Sequence, residues 1–255
     1  AVVMPGFLSR PQWRSVRLEP VSPRFDAEGS ARLNGLIADT SSYDPVVTDI
    51  RGAGAASFRL NHSPPLQVEH TLTLPDTYYV SDSAATVTFL SRLGYATARE
   101  MARVQISTDD GVSWTDVYSQ AGDGTSGEPA FRSRSASLAA FANRTFRVRF
   151  NYSFQAGGTI FNQTDPGVGW YLDDIALNGV SKVTSSPVAD VAGSTFAFTR
   201  ADAGDVGLQV RGSIDIFPSE WSGVLVLGIT GGPGGSTGGS DPVAVLPGLS
   251  TGSAR

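Results

Sequence analysis

Strict alternation of apolar and polar residues constrains this chain more than any other feature. Residues 145–154, TFRVRFNYSF, place Phe146 and Phe150 on one side of an extended chain and Arg147 and Arg149 on the other. Because successive side chains of a β-strand point to opposite faces, this period of two predicts a strand with one buried face. The pattern is typical of an antiparallel sheet that covers a core on one side only.

The same alternation recurs along most of the chain. It is found at residues 55–62, 68–74, 84–93, 102–108, 114–120, 144–154 and 169–177. These segments are rich in Val, Phe, Tyr and Thr, and Gly, Pro, Asp or Ser separates them, which favours short strands joined by turns. The best helical candidate begins at Ser137 and is short. We therefore predict an all-β protein whose main body is an antiparallel β-sandwich.

Changes in composition divide the chain into three predicted parts. Residues 1–180 form a jelly-roll β-sandwich, residues 181–230 a smaller β unit, and residues 231–255 a tail rich in Gly, Pro and Ser. The second part begins where Ser, Thr and Pro interrupt the alternation at residues 178–190. It holds too few strands for an independent sandwich, so these strands need to pack on the first part or on another chain.

Composition narrows the classes of function. The formal net charge of −5 and the lack of a clustered basic stretch argue against a nucleic-acid partner. No run of about 18 apolar residues occurs, so we expect no transmembrane helix. The first residues lack the regions of a signal peptide, and we expect a mature, processed chain. The chain contains no Cys, which excludes disulfides and thiolate catalysis but agrees with secretion by a bacterium.

Two pairs of adjacent aspartates are the first candidates for chemistry. Asp109 and Asp110 precede Gly111 between two predicted strands, an order typical of a tight hairpin, so we expect them to cap the amides of that turn. Asp173 and Asp174 lie on a predicted strand, where neighbouring side chains point to opposite faces. The second pair therefore cannot act as a close acid–base dyad.

Signatures of catalysis are absent from the sequence. His62 and His70 are the two histidines, and they fit no zinc-peptidase motif. Neither a nucleophile elbow nor a phosphate-binding loop occurs. We therefore predict that the protein is not an enzyme.

Three ordered motifs resemble a known type of bacterial module. VQISTDDGVSWTDVY (104–118), SLAAFANRTFRVRFNY (137–152) and GVGWYLDDIALNG (167–179) resemble jelly-roll modules of the MAM-like and choice-of-anchor type. Such modules occur beside secreted peptidases of the immune inhibitor A kind, in gingipain-like adhesins and in many bacterial surface proteins. The resemblance implies an antiparallel sandwich that is usually non-catalytic, and it is weak for function because the module serves many hosts.

The region after the sandwich resembles a second kind of domain. Residues 203–229 resemble the last two strands of a fibronectin type III or Ig-like domain, with Trp221 and Ser222 at the Trp-Ser pair often found there. The early strands of such a domain are missing from this region. The resemblance therefore implies a partial Ig-like unit.

The resemblance to the sandwich modules also implies a metal. In such modules an aspartate at the position of Asp173 or Asp174 joins an acidic residue of the N-terminal segment around a structural calcium ion, which needs several oxygen ligands. Asp26 and Glu28 are the candidate partners in this chain. The alternative is that these carboxylates cap loop amides or pair with arginines.

We expect an extracellular or cell-surface bacterial protein with a structural or adhesive role. Its β units and its tail would carry self-assembly into a homo-oligomer, filament or surface layer, with VAVLPGL (243–249) added to an exposed sheet edge of a neighbouring copy. The tail could instead fold back on its own chain.

Two alternatives remain open at this stage. The first is a carbohydrate-binding module that presents Tyr78, Tyr79, Tyr95 and Trp170 to sugar rings, although each of these residues is also a candidate for the core. The second is an accessory domain of a secreted peptidase or glycan-degrading enzyme.

Overall fold

A computed structural model gives the fold of the chain. It describes residues 12–29, 33–40, 43–81, 84–155, 160–186, 189–190, 205–211, 213–214, 217–218 and 221–227. Contacts divide the chain into two units, of which the larger spans Pro20–Lys182 and the smaller joins Ala1–Glu19 to Val183–Arg255. The predicted tail, residues 231–255, lies outside the described residues.

Short strands dominate the described residues. In chain order they are β1 (Gln12–Val21), β2 (Arg24–Phe25), β3 (Ile37–Asp39), β4 (Val46–Val47), β5 (Ser57–Leu60), β6 (Glu69–Thr73), β7 (Tyr78–Tyr79), β8 (Thr86–Leu93), β9 (Glu100–Ser107), β10 (Thr115–Ala121), β11 (Arg132–Ser137), β12 (Thr145–Phe154), β13 (Trp170–Asn178), β14 (Val180–Ser185), β15 (Ala189–Asp190), β16 (Asp205–Arg211), β17 (Ser213–Ile214), β18 (Phe217–Pro218) and β19 (Leu225–Leu227). Within these residues the helical structure is confined to one 3₁₀ turn at Ala139–Phe141, inside the predicted helical candidate.

Two antiparallel sheets form the larger unit. The first has the strand order β10-β9-β12-β6-β3, and β7 pairs with the beginning of β12. The second has the order β11-β8-β13-β5-β4, and β2 pairs with the end of β13. This arrangement is an antiparallel jelly-roll β-sandwich, which confirms the predicted fold class.

The core lies between the inner faces of these two sheets. In the first sheet Phe150 lies opposite Val104 and Val148 opposite Ile106, so that apolar side chains of neighbouring strands share one face. The large core side chains include Phe58, Leu60, Leu72, Phe89, Phe146, Phe150, Trp170 and Leu172, all buried. Phe89 of the second sheet meets Phe150 of the first edge to face at 5.2 Å, a favourable aromatic geometry.

The hairpin between β9 and β10 has the predicted turn. Asp110 and Gly111 both adopt positive φ, at 59° and 99°. One carboxylate oxygen of Asp109 accepts hydrogen bonds from the backbone N–H of Ser113 at 2.9 Å and from the hydroxyl of Ser107 at 2.7 Å. Burial opposes ionisation of Asp109, but hydrogen bonds from the hydroxyl of Ser113, the backbone N–H of Ser113 and the hydroxyl of Ser107 together outweigh it and lower the pKa of the carboxyl group. Asp109 therefore caps the turn, as predicted, and Asp110 contributes the positive φ that the turn requires.

The smaller unit is built around strand β1. Gln12–Leu18 pairs antiparallel with Asp205–Arg211, and β16 pairs in turn with β19. Two guanidinium groups lie over the ring of Trp221, that of Arg14 at 4.0 Å and that of Arg211 at 4.4 Å from the ring centroid. The sequence predicts that residues 12–19 belong to the sandwich (residues 1–180), whereas contacts group them with the smaller unit. No local pattern could indicate this, because the strand that pairs with them is distant in sequence.

Candidate functional site

A network of charged and planar polar side chains covers the outer face of the first sheet. We call it the polar platform; it consists of Glu69, Arg103, Gln105, Trp114, Asp116 and Arg149. The register places Arg149 opposite Gln105, and Gln105 opposite Asp116, on neighbouring strands. Because all of these residues except Trp114 alternate with the core residues of the same strands, they point away from the core; Trp114 directly precedes β10.

Hydrogen bonds and ion pairs hold the platform together. Arg149 donates to the side-chain oxygen of Gln105 at 2.8 Å and pairs with Glu69 at 3.0 Å. The Gln105 amide donates to Asp116 at 2.7 Å, and Arg103 pairs with the same carboxylate at 3.2 Å. Each of the two arginines therefore has a carboxylate partner, and the network is close to neutral.

Trp114 provides the aromatic part of the platform. Its ring is half-buried, and its indole N–H donates to the carbonyl oxygen of Gly111 at 3.1 Å. The guanidinium of Arg149 lies 4.3 Å from the ring centroid, within cation–π distance. Burial lowers the pKa of Arg149, and the charge of Glu69 opposes this shift. The Trp114 ring is thus fixed by contacts on two sides.

The sequence did not identify this platform. Alternation predicted that Arg147, Arg149 and Asn151 leave the core face of β12, but it gave no register between strands. Asn151 lies on this outer face and is fully buried, and neither atom of its amide has a hydrogen-bond partner in the described part of the chain. The sequence did show that several strands have a polar face. Which of these strands are neighbours in the sheet, and therefore which polar faces form one surface, depends on strand order and register.

The aromatic residues predicted to bind sugars lie mostly in the core. Tyr78, Tyr79 and Trp170 are buried, so their ring faces cannot stack on a ligand, and the prediction is wrong for these three residues. The indole N–H of Trp170 donates to Ser91 at 2.9 Å inside the sandwich. Tyr95 is half-buried and packs against Phe161 at 5.5 Å. Alternation placed Trp170 on a predicted strand, but it did not decide which of these rings the folded chain buries; Tyr78 and Tyr79 are adjacent and both are buried.

A small pocket is lined in part by Leu93 and Gly94, the two residues that precede Tyr95 in the chain. It has a volume of about 260 Å³ and is lined mainly by Gly94, Gln120, Asp123, Glu128 and Arg132. One oxygen of Glu128 accepts a hydrogen bond from the backbone N–H of Leu93 at 2.8 Å, and the other pairs with Arg134. The lining contains no aromatic side chain, which distinguishes the pocket from the polar platform.

The two adjacent aspartates of β13 have different surroundings. Asp173 is buried, and its carboxylate accepts hydrogen bonds from the backbone N–H groups of Gly52 at 3.1 Å, Ala53 at 2.9 Å and Asp174 at 2.9 Å. Burial raises the pKa of Asp173, and these three amides oppose the shift. Asp174 has a positive φ of 45°, and its half-exposed side chain lies 3.7 Å from Arg24.

The acidic residues of the N-terminal segment bind the same loop. Glu28 accepts hydrogen bonds from the backbone N–H groups of Ala55 at 2.7 Å and Ala56 at 3.0 Å, just after the residues held by Asp173. Asp26 accepts one from the backbone N–H of Glu28 at 3.2 Å. The four predicted acidic residues therefore all engage amides or an arginine, the alternative that the sequence left open.

These contacts bear on the predicted calcium ion. Asp173 and Glu28 each direct a carboxylate oxygen at two consecutive backbone N–H groups, so donors rather than further oxygen ligands surround those atoms. Within the described residues, no three His, Asp or Glu side chains are placed to hold one metal ion. The geometry fits loop capping and does not fit a calcium cage.

Comparisons with known proteins give fold-level likenesses. No protein-family model matches the chain, and no curated protein matches it. The CBM22-1 xylan-binding domain of a Paenibacillus barcinonensis protein shares 11% identity and a TM-score of 0.38, covering 63% of this chain and 92% of that one. The K3 cleaved adhesin domain of Lys-gingipain from Porphyromonas gingivalis shares 16% identity and a TM-score of 0.38, covering 63% and 93%.

A third solved structure has a similar relation to the chain. The C-terminal CBM6 domain of a laminarinase from Zobellia galactanivorans shares 11% identity and a TM-score of 0.33, covering 62% of this chain and 98% of that one. At such identities and scores these likenesses assign the chain neither a family nor a function. Separately, none of the described residues forms a helix long and apolar enough to cross a membrane.

Proposed function

We propose that the sandwich is a non-catalytic, extracellular binding module whose polar platform recognises a glycan. The observation that carries this proposal is the fixed arrangement of Gln105, Asp116 and Arg149 beside the half-buried ring of Trp114. Amide, carboxylate and guanidinium groups are the polar groups that orient a ligand in protein sites, and an aromatic ring supplies its apolar contact.

The charge balance of the platform favours an uncharged, polyhydroxylated ligand. The Arg103–Asp116 pair and the Arg149–Glu69 pair each combine one positive and one negative group at 3.2 Å and 3.0 Å. A strongly acidic ligand would therefore be repelled by the carboxylates of the platform, and a strongly basic ligand by its guanidinium groups. Hydroxyl groups both donate and accept hydrogen bonds, so a neutral sugar chain can use either type of partner.

The rigidity of the platform supports the same proposal. Its members, apart from Trp114, lie on the paired strands β6, β9, β10 and β12, and their side chains hold one another in place. Groups that are already ordered lose little conformational entropy when a ligand binds, and sites on strands are more precise than sites on loops.

Binding of the full chain to a glycan array tests this proposal. We expect specific hits, and we expect Trp114→Ala and Asp116→Ala each to weaken binding by about tenfold or more, the usual effect of removing a main contact residue. Tyr95→Ala, an aromatic residue outside the platform, is the control and should bind like the wild type. The absence of hits, or equal binding by Trp114→Ala, would contradict the proposal; loss of binding in Tyr95→Ala alone would place the site at Tyr95 instead.

Self-assembly through the β units and the tail is a second, separate proposal. It rests on the composition of residues 231–255, whose apolar end suits addition to a sheet edge. Electron microscopy of the full chain and of a chain ending at residue 230 tests it. We expect polymers from the full chain only, and polymers from the shortened chain would count against a role for the tail.

A further inference from the structure

The two histidines lie against each other inside the sandwich. His62 follows β5, His70 lies in β6, and their side chains are 0% and 1% exposed. Their ring centroids are 5.1 Å apart. His62 also stacks on Tyr152 at 4.9 Å, and His70 contacts Tyr43 at 5.5 Å. An aromatic environment therefore encloses both imidazoles.

Neither imidazole has the surroundings that a positive charge requires. All four ring nitrogen atoms are buried and form no hydrogen bond of normal geometry within the described part of the chain; the backbone of Leu66 lies near His62 without reaching that geometry. A buried charge without a partner is costly, and two protonated rings at this distance would also repel each other. Both rings are therefore neutral in the folded protein.

The connection between the histidines is otherwise exposed. We call residues 61–70 the histidine loop; Leu66 and Val68 in its middle are 49% and 40% exposed. At its start, the backbone N–H of Asn61 donates to the hydroxyl of Tyr43 at 2.8 Å, and that of His62 donates to Gln163 at 2.9 Å. The buried rings thus anchor both ends of a loop whose central part contributes little to the core.

Several charged or titratable groups face the pair from the elements packed against it. Asp39 in β3 and Tyr43 after β3 lie near His70, and Tyr152 in β12 stacks on His62; Arg59 in β5 and Glu100 in β9 act in turn on Tyr152. The Glu100 carboxylate is itself occupied, because it accepts hydrogen bonds from the backbone N–H of Thr97 at 2.6 Å and from the Gln163 amide. No carboxylate in the described residues forms an ion pair with either imidazole.

We propose that the His62–His70 pair makes the histidine loop acid-sensitive, so that protonation of either ring drives the loop off the sandwich and the neutral pair holds it closed. Opening brings the imidazoles into water, where they can accept a proton at low cost. The loop is therefore a conformational switch that responds to pH. The loop contains Glu69 of the polar platform, but the switch itself requires no bound glycan.

The direction of the pH dependence follows from proton linkage. Burial, and next the charge of His70, lowers the pKa of His62 from 6.5 to about 4; the nearby backbone of Leu66 opposes this in part. Burial also lowers the pKa of His70, against the charge of Asp39. The open state then binds more protons than the closed state below pH 6.5. Closure is fully stable above that pH and weakens as the pH falls towards the lowered values.

Hydrogen exchange of the full chain between pH 7 and pH 4.5 tests the proposal. Below pH 6.5 we expect the opening constant of residues 61–70, after correction for intrinsic exchange, to rise by about tenfold per pH unit for each ring that takes up a proton. The variant His62→Phe/His70→Phe should lose this rise. Tyr152→Phe is the matched control, because it changes the ring under His62 and keeps both imidazoles, and it should retain the rise.

Two outcomes would overturn the proposal. The first is an opening constant that depends on pH equally in the wild type and in the double variant. If the double variant does not fold, the single variants His62→Phe and His70→Phe take its place. In each of them the opening constant should rise less steeply with falling pH than in the wild type, because only one imidazole remains to take up a proton. The second uses the wild type alone: NMR spectra that show protonated imidazoles at pH 5 in a loop that remains closed would also exclude the switch.

Discussion

Two neighbouring aspartates show how strongly position alone can separate the roles of identical residues. Asp173 is enclosed and holds the backbone of residues 52 and 53, whereas Asp174 reaches towards Arg24 at the surface. Simple alternation does not set these directions, because the register of β13 shifts between Asp173 and Ala176 and Asp174 has a positive φ of 45°. The sequence did not identify the partners either, because residues 52 and 53 lie far away along the chain.

Replacing Asp173 should therefore cost much more than replacing its neighbour. In Asp173→Asn the amide nitrogen would face a backbone N–H group, and at least one buried donor would lose its acceptor. We expect a loss of about 2 kcal/mol in the free energy of unfolding. Asp174→Asn is the matched control: Asn tolerates positive φ and the ion pair is half-exposed, so its cost should be about 0.5 kcal/mol or less. Urea denaturation measures both, and equal losses would contradict this assignment.

Among the elements, β11 shows where sequence patterns stop being informative. Residues 132–137, RSRSAS, contain one apolar residue, yet they form an edge strand that pairs with β8 over its whole length. Alternation predicts a strand only when one of its faces is buried, and most of this strand is exposed. By contrast β8, whose every second residue is buried, was predicted. Pairing with a neighbour, rather than its own pattern, creates β11.

Strand β5 holds a long connection in place through a single side chain. The guanidinium of Arg59 donates to the carbonyl oxygens of four residues of the connection between β12 and β13: Gln163 at 2.7 Å, Thr164 at 3.3 Å, Asp165 at 2.7 Å and Val168 at 3.0 Å. It also lies 5.4 Å from the ring centroid of Tyr171. A planar group with five donors can make these contacts together, whereas an ammonium group cannot.

Arg59→Lys should consequently loosen this connection. We expect the free energy of unfolding to fall by about 2 kcal/mol or more, because hydrogen bonds from a charged, buried donor are lost. Arg51→Lys, an exposed arginine with one hydrogen bond to the carbonyl oxygen of Thr48 at 2.9 Å, should change it by about 0.5 kcal/mol or less. Thermal and urea unfolding compare the two variants. A fully stable Arg59→Lys protein would show that the clamp is dispensable.

At the scale of the whole molecule, each unit is built from strands that are distant in sequence. The sandwich takes its platform from four strands, and the smaller unit pairs residues 12–18 with residues 205–211. Carboxylates that accept hydrogen bonds from backbone N–H groups hold the segment around residues 52–56 in the sandwich.

Removal of calcium should leave the stability of the protein unchanged. The carboxylates of Asp173 and Glu28 have backbone amides as partners, so we expect the melting temperature in EGTA to equal that in calcium chloride to within about 1 °C. Asp173→Asn serves as the positive control, since it should lower the melting temperature in both solutions. A fall of several degrees in EGTA alone would restore the calcium site that the resemblance implied.

The sequence by itself determined that this protein is all-β, where its main turns fall, and that the aspartates of the β9–β10 hairpin are structural. These properties depend on neighbours a few residues apart, and alternation and turn residues encode them directly. Only the tertiary structure decided the order of the strands, the burial of Tyr78, Tyr79 and Trp170, the meeting of the two histidines and the gathering of the platform around Trp114. Each of these depends on register between distant segments, which no local pattern encodes.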